Sequence, residues 1–463
     1  MVMENRTTGV DTILGDPRKA IRRMTVPMLV AMTSQTLYNL IDAVWVAGLG
    51  SDALAAVGLV FPIFFILNGI GNGLGVGAAS AIARRVGAED KEGADAVAVH
   101  ALIISVLATL ILTLPLLLLA EDIFTAMGAG SATPLCVQYA QVIFAGTGVI
   151  FILTLLDSII RAEGDAKRSM RMMIIASFLN IILDPIFIYT LDMGVAGAAL
   201  ASVLAFGVAG LVMGYWFFVK KDTFVRFRFR GFRFQYVILK DIMRVGIPAS
   251  MEMTILSMSS LVMNMIILSI GSTDGVAIYS SGWRVFQMAM IPFLSIGAAM
   301  VPVCGAAYGG RRYDKLNDGY RYAVMLAGGI MALFSLILAV FAPQITLLFT
   351  YSEGTAHLQD GMVEFVRIGC IFLPFIGMAS ISSMMFQSIG KGLRALISTV
   401  MRNVVFLLPP VYVLGMQYGV IGVWWGMVAG EIAGSVLIFT WAIWTLKVLM
   451  REAPWVRRSD ELA

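Results

Sequence analysis

The stretch DAVAVHALIISVLATLILTLPLLLL, residues 95–119, holds no ionisable side chain from Ala101 onward. A helix of about 20 such residues spans the roughly 30 Å of hydrocarbon in a bilayer. No water is present there to bond backbone N–H and C=O groups, so the run must close its own hydrogen bonds as a helix. Comparable runs lie outward in both directions, at 24–47, 53–83, 132–160, 169–190, 193–219, 242–270, 275–304, 320–341, 361–389, 394–416 and 419–449, which makes twelve in all. They lack the period-two alternation of barrel strands. Composition agrees: of 463 residues, 59% are hydrophobic and 13% charged, against about a quarter charged in a soluble domain. No segment has the polarity of an extramembrane catalytic module. Cys136, Cys304 and Cys370 sit in apolar runs, and an odd number so placed supplies neither a disulfide framework nor a metal cluster. The first run is long enough to span and lacks a small-residue cleavage pattern behind it, so it is expected to stay in the mature chain.

Basic residues set the orientation. All but two of the 33 Lys and Arg fall before the first run, after each even-numbered run up to the tenth, or after the last, as in Arg18–Arg23, Arg84–Lys91, Lys220–Arg244 and Arg311–Arg321. The exceptions, Arg284 and Arg367, lie inside runs, and the opposite loops carry acids such as Glu121, Asp192, Asp274 and Asp360. By the positive-inside rule both termini are cytoplasmic, in a multi-pass plasma-membrane protein. The net charge of +4 is then a topology signal rather than a nucleic-acid footprint.

The chain also repeats itself. MTVPMLVAMTSQ (24–35) parallels RVGIPASMEMTI (244–255), aligning Pro27 with Pro248; RAEGDAKRSM (161–170) parallels QSIGKGLRAL (387–396), and GVAGAA (194–199) parallels GVIGVW (419–424). The expected fold is all-α integral membrane, with 12 transmembrane helices as two parallel six-helix repeats. An even number of helices per repeat relates the halves by an axis along the membrane normal, as in parallel-repeat transporters. The expected domains are an N-terminal lobe at 1–219, a cytoplasmic interlobe linker at 220–241 and a C-terminal lobe at 242–463. The linker alternates Arg and Phe at 226–230. It reads as a plain linker obeying the charge rule, or as a surface whose arginines meet anionic headgroups.

Ionisable residues inside membrane helices are costly and mark functional candidates. Asp42 lies about 19 residues beyond Arg23, roughly 28 Å along the first helix, and Asp184 about 13 residues beyond Arg171, roughly 20 Å up the fifth. Asn180 is one turn below Asp184 on the same face, and Ser202 reaches a similar depth from the sixth helix. Together they form an oxygen-rich pocket suited to Na⁺ or to a proton shared between carboxylates; the alternative is a polar network that only fastens helices. Asp157, one turn from Arg161, either joins this network or pairs with that arginine. Glu252, Arg284, Arg367 and Glu431 in the second half are expected to neutralise one another in pairs. GIGNGLGVGAAS (69–80) has no preceding strand and no Gly-Lys-Ser/Thr, so it reads as close helix packing rather than a phosphate loop. His100 and His357 are too far apart for a metal site, and no nucleophile with its base is present, so the chain is not expected to be an enzyme.

QTLYNLIDAVWVAGLG (35–50), SAIARRVGAEDKEGAD (80–95), RAEGDAKR (161–168) and LNIILDPIFIYTLDMGVAGAA (179–199) resemble the multidrug and toxic compound extrusion family, in its DinF-like prokaryotic branch. The resemblance covers essentially the whole chain. It implies a V-shaped pair of lobes, acting as a monomer without cofactor, that exports small amphipathic or cationic compounds in exchange for Na⁺ or H⁺ within membrane lipids. It carries a cation or proton role onto Tyr38, Asp42, Asn180, Asp184 and Ser202. Asp157 stands where relatives tend to have Asn, which adds a third candidate carboxylate. The runner-up is a flippase for a lipid-linked oligosaccharide or precursor, whose phosphates would need a basic cavity.

Overall fold

The computed structural model describes residues 6–271, 273–351 and 354–451, and every regular element among them is helical. In chain order these are α1 (Thr8–Leu14), α2 (Pro17–Ala47), α3 (Ser51–Gly87), α4 (Lys91–Leu118), α5 (Ala120–Ala126), α6 (Thr133–Ala162), α7 (Ala166–Pro185) and α8 (Gly194–Gly214). There follow α9 (Tyr236–Ile270), α10 (Thr273–Gly309), α11 (Tyr313–Val340), α12 (Ala342–Thr350), α13 (Gln359–Gly369), α14 (Leu373–Ser388), α15 (Gly392–Val400) and α16 (Leu408–Arg451). Among the described residues, 9 helices are long and apolar enough to cross a membrane, or up to 10 with the segment ending in α13 and its neighbour α14 counted as one bent span.

Departures from the expected runs have local causes. The run at 361–389 is broken between α13 and α14, with a bend of 52°. Pro374 at the start of α14 has no N–H to give and disfavours helix in the residue before it. Ser335 donates to the carbonyl of Cys370 in that break. α16 is interrupted at Gly419, whose φ of 66° and ψ of −150° are non-helical and suit a residue without Cβ. α2 and α9 start at Pro17 and Tyr236, ahead of the expected runs, because each helix continues through charged residues, Arg18–Arg23 in α2 and Lys240 and Asp241 in α9, that hydropathy excludes from a run. α5 and α12 are short helices in segments expected to be loops.

The chain folds as two compact units. The first holds residues up to Gly15 with Val26–Ser250, and the second holds Asp16–Thr25 with the chain from Met251 onward. Of the three divides, the first lies between α1 and α2, and the other two fall inside a helix close to a proline, Pro27 in α2 and Pro248 in α9. In the first unit the glycines of 69–80 do pack closely. A Cβ on Gly71 would meet the Phe151 ring at 3.0 Å, one on Gly75 would meet Ser158 Oγ at 2.5 Å, and one on Gly73 would meet the Gly246 carbonyl at 2.6 Å.

At the basic ends, helices start on carboxylate caps. Asp90 Oδ1 accepts from Gly93 N at 2.8 Å, and Asp165 Oδ1 from Arg168 N at 3.1 Å. Asp16 accepts from the N–H groups of Arg18 and Lys19 at 2.8 and 3.0 Å, and the Lys19 bond chiefly holds its carboxyl below the usual range. The 220–235 segment is docked rather than free. Arg226 N donates to Asp95 Oδ1 at 2.8 Å, Val225 N to Glu163 Oε2 at 2.9 Å, and Gln235 N to His100 Nε2 at 2.8 Å.

Burial pushes the Glu163 carboxyl from its ordinary 4.5 up to about 8, against the bond from Val225 N–H. Its folded-state pKa is therefore raised, so the folded chain binds more protons than the unfolded one between these values. Stability from this group is full below about 4.5 and is lost as pH rises through about 8. Glu163→Gln keeps an acceptor for Val225 and removes the titration. Thermal unfolding of the purified variant should therefore be flatter than wild type between those pH values; parallel pH profiles would refute the assignment.

Candidate functional site

Three helices of the first unit bring polar groups together near the ends opposite the basic loops. α2 contributes Tyr38 and Asp42 one turn apart, α7 contributes Asn180 and Asp184 one turn apart, and α8 contributes Ser202. Asn180 Nδ2 donates to Asp184 Oδ1 at 3.2 Å and to Ser202 Oγ at 3.0 Å. The carboxyl groups of Asp42 and Asp184 face each other at hydrogen-bonding range. Asp184 and Asn180 are fully buried, and Tyr38 nearly so. The Tyr38 ring sits edge-on to Phe206, with centroids 6.0 Å apart.

Local backbone explains the placement. Pro185, next to Asp184, ends α7, and a wide π-helical turn, Ile186–Thr190, follows it directly. From that turn Tyr189 Oη donates to the Trp45 carbonyl at 2.6 Å, tying the far end of α2 to the end of α7. Gly48 leaves the room that the Tyr189 hydroxyl occupies.

Asp42 Oδ1, Asn180 Oδ1 and Asp184 Oδ2 are buried oxygens without a hydrogen-bond partner. An unmet buried acceptor costs about 1–3 kcal/mol, and two carboxylates this close in low dielectric repel unless positive charge lies between them. The donor set is oxygen only, which fits a hard cation or a shared proton. No group of three or more His, Cys, Asp or Glu with metal-holding geometry exists among the described residues.

Tyr139 of α6 was missed by sequence reasoning, although it approaches Asp42, Asp184 and Tyr38. Its mark in the sequence is a phenol inside an apolar helix, a weaker signal than a carboxylate because a phenol is not charged. Asp157 is placed elsewhere: its Oδ2 lies 2.9 Å from Arg161 Nη1, and that arginine also donates to Ser158. A partly exposed pair of this kind is worth about 1 kcal/mol or less. Asp157→Asn is expected to leave the pH profile of transport where it is in wild type; a displaced optimum would bring Asp157 into the carboxylate network.

In the second unit the expected pairing among Glu252, Arg284, Arg367 and Glu431 is not what forms. Gln387 Nε2 donates to Glu252 Oε1 at 3.1 Å, and Arg402 Nη1 lies 3.5 Å from Glu431 Oε2. Arg367 donates to the Ala339 carbonyl at 3.4 Å, and Arg284 is exposed. Arg402, counted among the basic residues that follow the tenth run, lies in the π-helical turn Met401–Phe406 and is the cation that pairs with Glu431.

Among the described residues the chain is a set of helices, 9 or up to 10 of them long and apolar enough to cross a membrane, the make-up of a multi-pass membrane transporter. The chain belongs to the MatE family, whose model matches residues 27–186 and again 248–413. The two matches begin at Pro27 and Pro248, the prolines aligned by the internal repeat. The chain is 26% identical over 415 residues to the multidrug export protein MepA of Staphylococcus aureus (strain MRSA252), covering 89% of this chain and 90% of that protein. A solved multidrug resistance MATE family transporter of the MOP superfamily, in its outward-facing conformation, is 42% identical with a TM-score of 0.93, covering 97% of this chain and 100% of that one. A MOP superfamily transporter from Pyrococcus furiosus, described as having a binding pocket of reverse polarity that suggests a different function, is 42% identical with a TM-score of 0.92, covering 96% and 100%.

Proposed function

We propose that this protein is a secondary active antiporter that exports small amphipathic or cationic compounds in exchange for Na⁺ or H⁺. One observation carries the reading: Asp42 and Asp184 face each other beside Asn180, Ser202 and Tyr38, with three buried oxygens unmet. Asp42, Asn180, Asp184 and Ser202 would hold Na⁺ as a co-substrate, or the two carboxyls would share a proton. Either charge would draw α2 towards α7. A coupling ion drives a transition only through unequal affinity for two states, and the two prolines offer the bend. Pro27 and Pro248 each remove one helical hydrogen bond beside the divides between the compact units.

The membrane topology belongs to the same proposal. Adding α2 to the apolar spans, counting α13 and α14 as one, and dividing the Gly392–Arg451 stretch at Gly419 makes twelve crossings in two repeats. Both termini are then cytoplasmic. Multidrug export by MepA supports the cargo class. The other reading, a flippase for a lipid-linked precursor, is favoured by the exposed guanidinium groups of Arg284 and Arg367, which could meet phosphates.

Inverted vesicles loaded by imposed Na⁺ or pH gradients, applied separately, test the proposal. Uptake of a fluorescent cation driven by at least one gradient is expected. Uptake indifferent to both gradients would overturn it, and competition by a pyrophosphate-linked lipid alone would favour the flippase.

A further inference from the structure

The docked segment after α8 presents a surface that transport does not explain. Its backbone climbs α4: Arg226 N–H bonds Asp95, and Gln235 N–H bonds His100. Those two α4 positions are about 7 Å apart along the helix axis at 1.5 Å per residue. His100 immediately precedes the uncharged run of α4 that enters the hydrocarbon. Phe232 and Phe234 lie against the His100 ring, with centroids 4.9 and 5.6 Å away, so the segment reaches the depth where lipid begins.

On the outward side of this stretch four large apolar side chains stand exposed, Phe229 at 53%, Phe234 at 61%, Tyr236 at 67% and Val237 at 74%. Arg228, Arg230, Arg233 and Lys240 are exposed among them, with Arg228 also 3.3 Å from Asp95. The inward side is satisfied separately. Phe224 and Val225 are buried, Glu163 accepts from Val225 N–H, and Phe227 stacks on Phe218. The segment is thus held in place mainly by backbone N–H groups and inward-facing side chains, which leaves most of its aromatic and basic side chains exposed.

We propose that residues 228–240 form a binding surface for anionic phospholipid headgroups of the cytoplasmic leaflet, with the aromatic rings seated at the acyl boundary and the guanidinium groups on the phosphates. Aromatic side chains collect at the membrane interface, and juxtamembrane basic clusters bind anionic lipid. The depth along α4 puts both chemistries where a headgroup layer would lie. The surface depends on α4 crossing the bilayer and not on the cargo exported.

The test uses the full chain in nanodiscs of phosphatidylcholine with or without phosphatidylglycerol. Cys136, Cys304 and Cys370 are buried, so a bimane label placed through F229C is selective. Headgroup-proximal nitroxide on phosphatidylglycerol should quench the label more than the same nitroxide on phosphatidylcholine. Arg230→Ala and Arg233→Ala should each lower that preference by about five-fold, with thermal unfolding in detergent as in wild type. Equal quenching by both lipids would overturn headgroup selectivity. Quenching by aqueous iodide with none by either lipid would overturn the membrane assignment and leave the face to a soluble partner. Neither result bears on gradient-driven export by the carboxylate pair.

Discussion

Asp42→Asn is expected to reduce gradient-driven transport to the leak level while leaving folding intact, and Asp184→Asn to do the same. The amide keeps the shape of the side chain and removes the charge that attracts a cation or binds a proton. Losing an interaction with a charged group costs about 1.5–3 kcal/mol, and each 1.36 kcal/mol is a factor of ten, so a loss of about 10- to 100-fold or more is expected. The two carboxyls face each other, so they should act as a unit. The double variant should then lose little more than either single one, since groups working together are not additive. Transport rates in proteoliposomes, with expression and melting temperature as controls, measure this. Full transport in either single variant, or independent additive losses, would remove the pair from the coupling step. Tyr139→Phe should have a smaller effect, because the ring that packs there is retained and only its hydroxyl is lost.

Much of this site was legible because a carboxylate in an apolar helix has few structural excuses. Asp42 and Asp184 stood out against uncharged surroundings, and the i, i+4 spacing of Asn180 and Asp184 foretold the bond that now measures 3.2 Å. Ser202 was found from depth alone, and it accepts from the other hydrogen of the same amide. What could not be read was partner choice in three dimensions. Gln387 reaches Glu252, and Arg402 reaches Glu431, over separations of 135 and 29 residues, and periodicity carries no information about such pairings. Breaks inside long apolar runs were also hidden. Hydropathy integrates over a run, so it passes smoothly across the bend before Pro374 and the π-helical turn after Pro185, whereas a single missing N–H redirects the backbone. The linker shows the opposite case. Its Arg-Phe alternation was visible, but its attachment through Asp95, His100 and Glu163 depends on backbone N–H groups that sequence does not distinguish.

Gly77→Val should be among the most damaging single changes outside the carboxylate site. α3 crosses α9 within the first unit at a place where backbone meets backbone. A Cβ on Gly77 would press on the carbonyl of Ile242 and lie 3.0 Å from Gly246 N and 3.1 Å from Gly246 Cα. No rotamer change relieves such contacts, because the opposing atoms belong to main chain. The helices would have to separate, and Arg84 and Arg85 sit two turns further along α3, bonded to Asp241 at 2.6 and 2.9 Å. Separation would strain those bonds as well. Overpacking of this kind costs about 1–3 kcal/mol for the first carbon and more for a branched side chain. Gly77→Ala should therefore lower the melting temperature by about 5 °C, and Gly77→Val should leave little monodisperse protein. Gly329 in α11 is the matched control, since a Cβ there meets nothing within 4 Å. Alanine at that position should be neutral or stabilising by up to about 1 kcal/mol, as in any helix interior with room. Differential scanning fluorimetry of G77A and G329A in one detergent decides the matter: equal melting temperatures would mean that α3 and α9 do not depend on this glycine contact.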